Sequence, residues 1–118
     1  MLTEYLLKTV HVTVDRPLGS RHPEHPELVY PVNYGYLPGT VSGDGEEIDA
    51  YILGVSVPVR EYDGIVIAVV NRKDDTEDKL VVADAAGRYG RDEIAKLLYF
   101  QERFYKSEIL LPGDRRTS

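Results

Sequence analysis

The apolar residues of this chain come in short runs, each closed by glycine, proline or a charged turn, and that pattern restricts it to architectures built from short strands. The longest uninterrupted apolar run, Ile65 to Val70, is six residues. Thr9 to Val14 alternates, with Val10, Val12 and Val14 on one face and Thr9, His11 and Thr13 on the other, which is the period of a strand. A loop containing Pro17, Pro23 and Pro26 comes next, and proline cannot continue a sheet ladder. Leu28 to Leu37 reads as extended and aromatic, ending at Pro38-Gly39. Gly43-Asp44-Gly45 marks a turn into a strand from Ile48 to Val55, and Pro58 breaks that run. Gly64 to Asn71 is a continuous apolar strand, buried on both faces or inside a barrel.

Asp74 to Asp78 forms a charged turn before the next strand, Lys79 to Ala83. Gly87 to Gly90 is a loop, and Asp92 can cap a helix beginning there. Ile94, Leu97, Leu98, Gln101 and Tyr105 fall near helical spacing, predicting one amphipathic helix from about Asp92 to Lys106. From about Leu110 to Ser118 a flexible polar tail is expected. No internal repeat is visible. Several short strands before one helix predict a mainly β fold, a small barrel with a covering C-terminal α-helix. With 118 residues, positions 1–118 form a single domain, and folding buries roughly two thirds of its surface.

Composition narrows the setting and the partners. There is no cysteine, so neither disulfides nor thiolate metal sites are available. Met1 to Val10 lacks the pattern of a signal peptide, and no apolar run approaches the roughly 20 residues that span a bilayer. A cytoplasmic protein without a membrane partner is the expectation. The net charge of −6 argues against nucleic acid as a partner, which calls for a basic face. It does not exclude a small anion, because a bound metal reverses the sign of a local site.

Chemistry concentrates between Tyr30 and Asp49. Asp44 and Glu46 stand two apart, so extended backbone points them to the same side, and Asp49 lies at the strand start. Three carboxylates about 5 Å apart at an effective dielectric near 20 repel by roughly 3 kcal/mol per pair. Hard cations relieve that repulsion, magnesium above all where phosphate is present. A solvated acidic turn is the plainer alternative. Just upstream, Tyr30-Pro31-Val32-Asn33-Tyr34-Gly35-Tyr36 supplies three phenols, neutral donors suited to phosphate oxygens. Aromatic core packing is the expectation for Tyr36 and stays open for Tyr30 and Tyr34.

Tyr-Pro-x-Asn-Tyr-Gly-Tyr together with Asp44-Gly45-Glu46-Glu47-Ile48-Asp49 resembles the soluble family I inorganic pyrophosphatases, whose signature is Asp-Gly-Asp-Pro-hydrophobic-Asp. Glu77-Asp78-Lys79-Leu80 resembles the family's Asp-x-Lys strand start, and Phe104-Tyr105-Lys106 its last helix. The resemblance implies a five-stranded closed barrel of the oligonucleotide-binding type. It also implies hydrolysis of pyrophosphate to two phosphates, two or more Mg2+ ions and a homo-oligomer.

Carried over position by position, the resemblance assigns metal binding to Asp44 and Asp49. The central acid, which helps activate water, is Glu46, one methylene longer than the family's Asp. Glu77 matches a further metal ligand, with Asp78 as its alternative, and Asp74 or Asp75 a fourth. Tyr34, Lys79, Tyr105 and Lys106 match residues that hold phosphate and neutralise its developing charge, and Asp49 and Tyr34 join Glu46 in the catalytic group.

The N-terminal third departs most, because family members carry a longer opening with a hairpin bearing a Lys, a Glu and an Asp-Arg. Val14-Asp15-Arg16-Pro17-Leu18-Gly19-Ser20-Arg21 matches either that Asp-Arg pair, making Arg16 the phosphate ligand, or an earlier Glu-x-Pro-x-Gly-Ser segment, which places Arg21 near substrate. The second alignment keeps the spacing of Pro17, Gly19 and Ser20 and is preferred; a hairpin is then missing. His22 and His25 occupy its place, three apart, as ligands of a transition metal, as substrate contacts or as parts of a proline-stiffened surface loop. A more open pocket would admit a nucleotide or another phosphoanhydride, and a non-catalytic phosphate- or metal-binding barrel is the remaining alternative.

Overall fold

The computed structural model describes residues 2–43, 45–73 and 77–114. After a short 3-10 turn at Leu2–Tyr5 come β1 (Thr9–Arg16), β2 (Asn33–Leu37), β3 (Ile48–Ile52), β4 (Glu61–Arg72) and β5 (Lys79–Ala83). Helix α1 (Arg91–Glu102) and β6 (Ser107–Leu110) complete the order. Strands β1, β2, β3, β5 and β4 pair in that order, and β4 returns to β1, closing a five-stranded barrel. Among the described residues β3 and β5 are the one parallel pair, and the other strand pairs are antiparallel.

Closure depends on the length of β4. Its first residues, Glu61 to Ile65, face β1, while Ile65 to Val70 face β5. Its last residues, Val69 to Arg72, receive β6 where β1 has ended. Two bulges bend the wall, between Val14 and Arg16 on β1 and between Val66 and Ala68 on β4. At the tightest crossing, a Cβ on Gly35 would stand 1.9 Å from the carbonyl oxygen of Thr13, so only glycine lets β2 approach β1 there.

The alternation of each strand separates two cores. Val12, Leu37, Ile48, Ala50, Ile52, Val66, Val69, Leu80 and Val82 fill the barrel with Leu110. Tyr34, Tyr51, Leu53, Val81 and Ala83 point outward and are covered by Ile94 and Leu98 of α1, with Tyr30 and Phe100 completing the layer. Positions 49 and 79 belong to this outer set by the two-residue period, which directs Asp49 and Lys79 toward the helix side.

Several expectations need correction. The helix stops at Glu102, four residues short of Lys106, so Phe104, Tyr105 and Lys106 lie in the connection to β6. Its N-cap is Gly90, whose N–H bonds the Glu93 carboxylate, and Asp92 sits within the first turn. Strand β6 escapes a reading of the sequence: four residues with one buried side chain carry no periodic signal, and the pairing partner lies far back in the chain. The tail begins in an ordered turn, with Asp114 bonded to the Leu111 N–H and to Arg91. Strand β3 ends at Ile52 rather than Val55, because Gly54 adopts a positive φ. The proline loop after β1 is a small irregular hairpin, closed by a bridge between Arg21 and Val29, by the Tyr30 N–H bonding the Ser20 carbonyl and by the Gly19 N–H bonding the Tyr30 carbonyl. Tyr36 is partly exposed, whereas Tyr30 and Tyr34 are the buried tyrosines of that segment.

Candidate functional site

A cavity of about 600 Å³ opens on the barrel wall beside the C-terminal end of α1. Arg16 from the end of β1, Tyr34 from β2, Asp49 from β3, Glu77 from just before β5, Lys79 from its first position and Arg72 from the end of β4 line its inner part. His22, His25, Arg103, Phe104 and Tyr105 line its outer part. Strand register brings these positions together: Arg16 pairs with Tyr34, Tyr34 with Tyr51, and Lys79 with Val70.

Lys79 is the centre of the inner part. Its ammonium, 4% exposed, donates to Asp49 Oδ2 at 2.6 Å and to Glu77 Oε1. Burial pushes Asp49 upward, but hydrogen bonds with Glu77, Lys79 and Tyr34 and the charge of Lys79 outweigh it, and the net shift is down. For Glu77, burial and then its hydrogen bond with Asp49 dominate, and its pKa is pushed up to about 7. Two carboxylates and one ammonium therefore share this corner, with a proton partly retained near neutrality. The buried Tyr34 hydroxyl is raised well above its usual value, first by burial and then by the Asp49 charge, so it remains a neutral donor.

Two guanidinium groups flank this corner in different states. Arg16 donates to the Tyr30 hydroxyl at 2.5 Å and lies over the rings of Tyr30 and Tyr34. Arg72 is almost fully buried, bonds Glu102 through two nitrogens at 3.0 and 2.6 Å, and stacks 3.7 Å from the Tyr105 ring centre.

The remaining sequence candidates divide between cavity and surface. Arg21, preferred by the spacing argument, is exposed, donates to the Pro26 carbonyl at 2.8 Å and is not part of the cavity lining. Its neighbour in the alternative alignment, Arg16, lines the cavity. Glu46 is exposed on the turn before β3, and its carbonyl accepts the Ser42 N–H. Lys106 is exposed, with its carbonyl bonded to the Lys73 N–H, and it too is outside the lining. Asp78 bonds the Asn71 side chain and the Arg72 N–H, which leaves Glu77 as the acid facing the cavity. Asp44, Asp74 and Asp75 lie outside the described residues. Sequence reasoning missed Arg72, Tyr51, Gln101 and Glu102. A charged residue ending an otherwise apolar strand was the available signal for Arg72.

Among the described residues no group of three or more Asp, Glu or His converges on one point. The donor set that is present, Asp49 with Glu77, offers hard oxygen ligands, and burial together with the neighbouring Asp49 raises the Glu77 pKa, the direction a site short of positive charge gives. That chemistry fits a hard divalent cation.

A closed five-stranded barrel bearing an acid-and-cation cavity beside its covering helix defines the class. The family model described as inorganic pyrophosphatase matches residues 3–107. The inorganic pyrophosphatase of Mycoplasma pneumoniae is 32% identical over 133 residues, covering 93% of this chain and 66% of that protein. That of Aeropyrum pernix is 33% identical over 75 residues, covering 61% of this chain and 39% of that protein. The chain thus spans 66% and 39% of the lengths of these relatives. In fold it is similar to the crystal structures of the inorganic pyrophosphatases from Ehrlichia chaffeensis and Neisseria gonorrhoeae. The first gives a TM-score of 0.65 at 16% identity, covering 87% of this chain and 85% of that one. The second gives 0.62 at 18% identity, covering 89% and 80%. The chain belongs to the inorganic pyrophosphatase family.

Proposed function

We propose that the cavity binds inorganic pyrophosphate and promotes its hydrolysis to two phosphates with magnesium. The observation that carries this reading is the cluster of Asp49, Glu77 and Lys79 in the inner cavity, flanked by Arg16 and Arg72, in a chain of this family. Asp49 and Glu77 would hold the metal, with Asp44 and Asp74 assigned by resemblance; two or more ions are expected. Bound magnesium would supply positive charge against the phosphate oxygens and acidify water.

The chain's own groups then have distinct tasks. Lys79 and Arg16 face the phosphate side and neutralise charge that develops as the bridging P–O bond breaks. Arg16 is the more available, since its fixed hydrogen bond goes to a phenol. Tyr34 and Tyr105 line the same space, Tyr34 as a buried neutral donor. Water adds to one phosphorus as the bridging oxygen leaves on the other phosphate, and a carboxylate accepts the water proton. Asp49 faces the cavity for that role, whereas Glu46, the family's central acid by alignment, stands on the exposed turn. The proposal includes a homo-oligomer and a cytoplasmic setting.

Phosphate release from pyrophosphate by the purified protein, with and without magnesium, is the direct test. No release, with another family enzyme active alongside, would remove the proposal. A second reading, hydrolysis of a larger phosphoanhydride, is favoured by the cavity volume, which falls in the roughly 300–1,000 Å³ range of pockets that hold drug-sized ligands. A substrate panel including nucleoside diphosphates and triphosphates separates the two.

A further inference from the structure

A buried chain of hydrogen bonds runs from the end of α1 to the cavity. Glu102 accepts from both Arg72 nitrogens, from Ser107 at 2.6 Å and from the Tyr51 hydroxyl at 2.5 Å. The Tyr51 oxygen accepts the Gln101 side-chain N–H at 2.7 Å. The Gln101 oxygen accepts the Tyr30 hydroxyl at 2.7 Å, and the Tyr30 oxygen accepts from Arg16.

The order of donors in this chain is fixed at one end. Hydrogen bonds from Arg72, Ser107 and Tyr51 outweigh burial and keep Glu102 ionised, so it can only accept. Tyr51 must then donate to it, which leaves the Tyr51 oxygen to accept. That forces Gln101 to turn its amide nitrogen toward Tyr51 and its oxygen toward Tyr30. Tyr30 must donate to Gln101, and its lone pairs face Arg16. Arg16 is thus gripped by a phenol whose orientation is set at Glu102, at the far end of the hydrogen-bonded chain. Among the described residues no carboxylate forms an ion pair with Arg16. Tyr30 and Tyr34 beside it stay neutral, and the adjacent Asp15 carboxylate acts on it through space without a salt bridge, so the guanidinium is positioned without being locked to an acid. A carboxylate partner would fix it equally well but would consume the charge that an anionic ligand needs.

We propose that Gln101 is a positioning residue, which acts through Tyr30 to aim an Arg16 guanidinium that is held by no salt bridge at a phosphate group in the cavity. This rests on the phosphate-binding reading of the site, and the wild-type arm of the test separates the two.

The experiment measures inorganic phosphate binding by calorimetry, together with KM and kcat for pyrophosphate, in the wild type and in Gln101→Leu, Tyr30→Phe, Arg16→Ala and the double variant Gln101→Leu/Arg16→Ala. Loss of one buried hydrogen bond that orients a charged group is expected to weaken phosphate binding about three- to tenfold in Gln101→Leu, with KM rising more than kcat falls. Tyr30→Phe is expected to do the same and covers the case in which Gln101→Leu does not fold. In the Arg16→Ala background Gln101→Leu should add less than about twofold, because residues acting through one another are not additive. A full additional loss in that background overturns the proposal, as does unchanged phosphate binding in a folded Gln101→Leu or Tyr30→Phe protein. Wild-type protein that neither binds phosphate nor hydrolyses pyrophosphate overturns the reading of the site itself.

Discussion

Replacing Glu102 with Gln should cost far more stability than its isosteric shape suggests. Glu102 is 7% exposed and Arg72 3%, and the carboxylate is the acceptor for Arg72, Tyr51 and Ser107 together. The amide keeps the volume but removes the charge and turns one acceptor into a donor, facing Arg72, which remains cationic and buried. Breaking a buried ion pair from one side costs about 3–5 kcal/mol. For 118 residues the unfolding entropy is about 0.25 kcal/mol per kelvin, so the midpoint should fall by roughly 12–20 °C. Thermal unfolding followed by circular dichroism, with urea unfolding as a second measure, gives the number. Burial raises the Glu102 pKa, but the Arg72, Ser107 and Tyr51 hydrogen bonds more than reverse this, and the net value is lowered. Its contribution is therefore present above the unfolded carboxylate pKa and lost as pH falls through the folded value. The difference between wild type and variant should accordingly shrink in acid. A loss below about 1 kcal/mol at pH 7 would refute the argument, since it would mean that the pair is not desolvated as the packing indicates.

Glu77 gives the opposite pH dependence. Its folded pKa lies near 7, above that of the unfolded chain, so the folded state binds more protons between about pH 4.5 and 7 and stability falls as pH rises through that window. In chelator, Glu77→Gln should flatten the pH profile of the unfolding midpoint between pH 5 and 8; an unchanged slope would count against the shared proton. Gly35→Ala should cost at least about 3 kcal/mol or prevent folding, because the new methyl meets backbone that cannot move aside, and soluble yield with urea unfolding reports it. Glu46→Asp restores the family's acid at that position; if reach limits turnover there, kcat for pyrophosphate should rise, by up to about 100-fold given the sensitivity of catalysis to misplacements near 1 Å. A kcat unchanged within twofold would show that Glu46 is not limiting.

Much of the barrel was legible because its signals are local. Lys79–Ala83 has the bounds read from composition, and the period-two pattern of Thr9 to Val14 survives in β1 with two residues added. What was lost depends on distant partners. Glu61 to Asp63 look like a polar loop, yet they are strand because His11 to Thr13 lie opposite. Ser107 to Leu110 are strand because β4 outlasts β1. The same applies to the site. The acids and Lys79 stand in recognisable local motifs, whereas choosing Arg16 over Arg21 requires knowing that the segment after Pro17 folds back on itself and turns Arg21 toward Pro26. Arg72, Gln101 and Glu102 acquire their roles only when α1 is laid on the barrel wall.

The unequal sharing of β4 sets how this molecule comes apart. Because β1, β5 and β6 all pair with it, opening the barrel at any seam along that strand exposes amides whose other partners are still in place. Its central residues, Val66 to Val70, are also mostly buried between the two cores. Amide hydrogens of this segment should exchange with solvent only through complete unfolding, whereas β6, a four-residue strand paired with the end of β4, exchanges through local opening. The barrel therefore behaves as one cooperative unit organised around a single strand, and Asp49, the acid that faces the cavity from β3, is fixed to that unit through the pairing of β3 with β5.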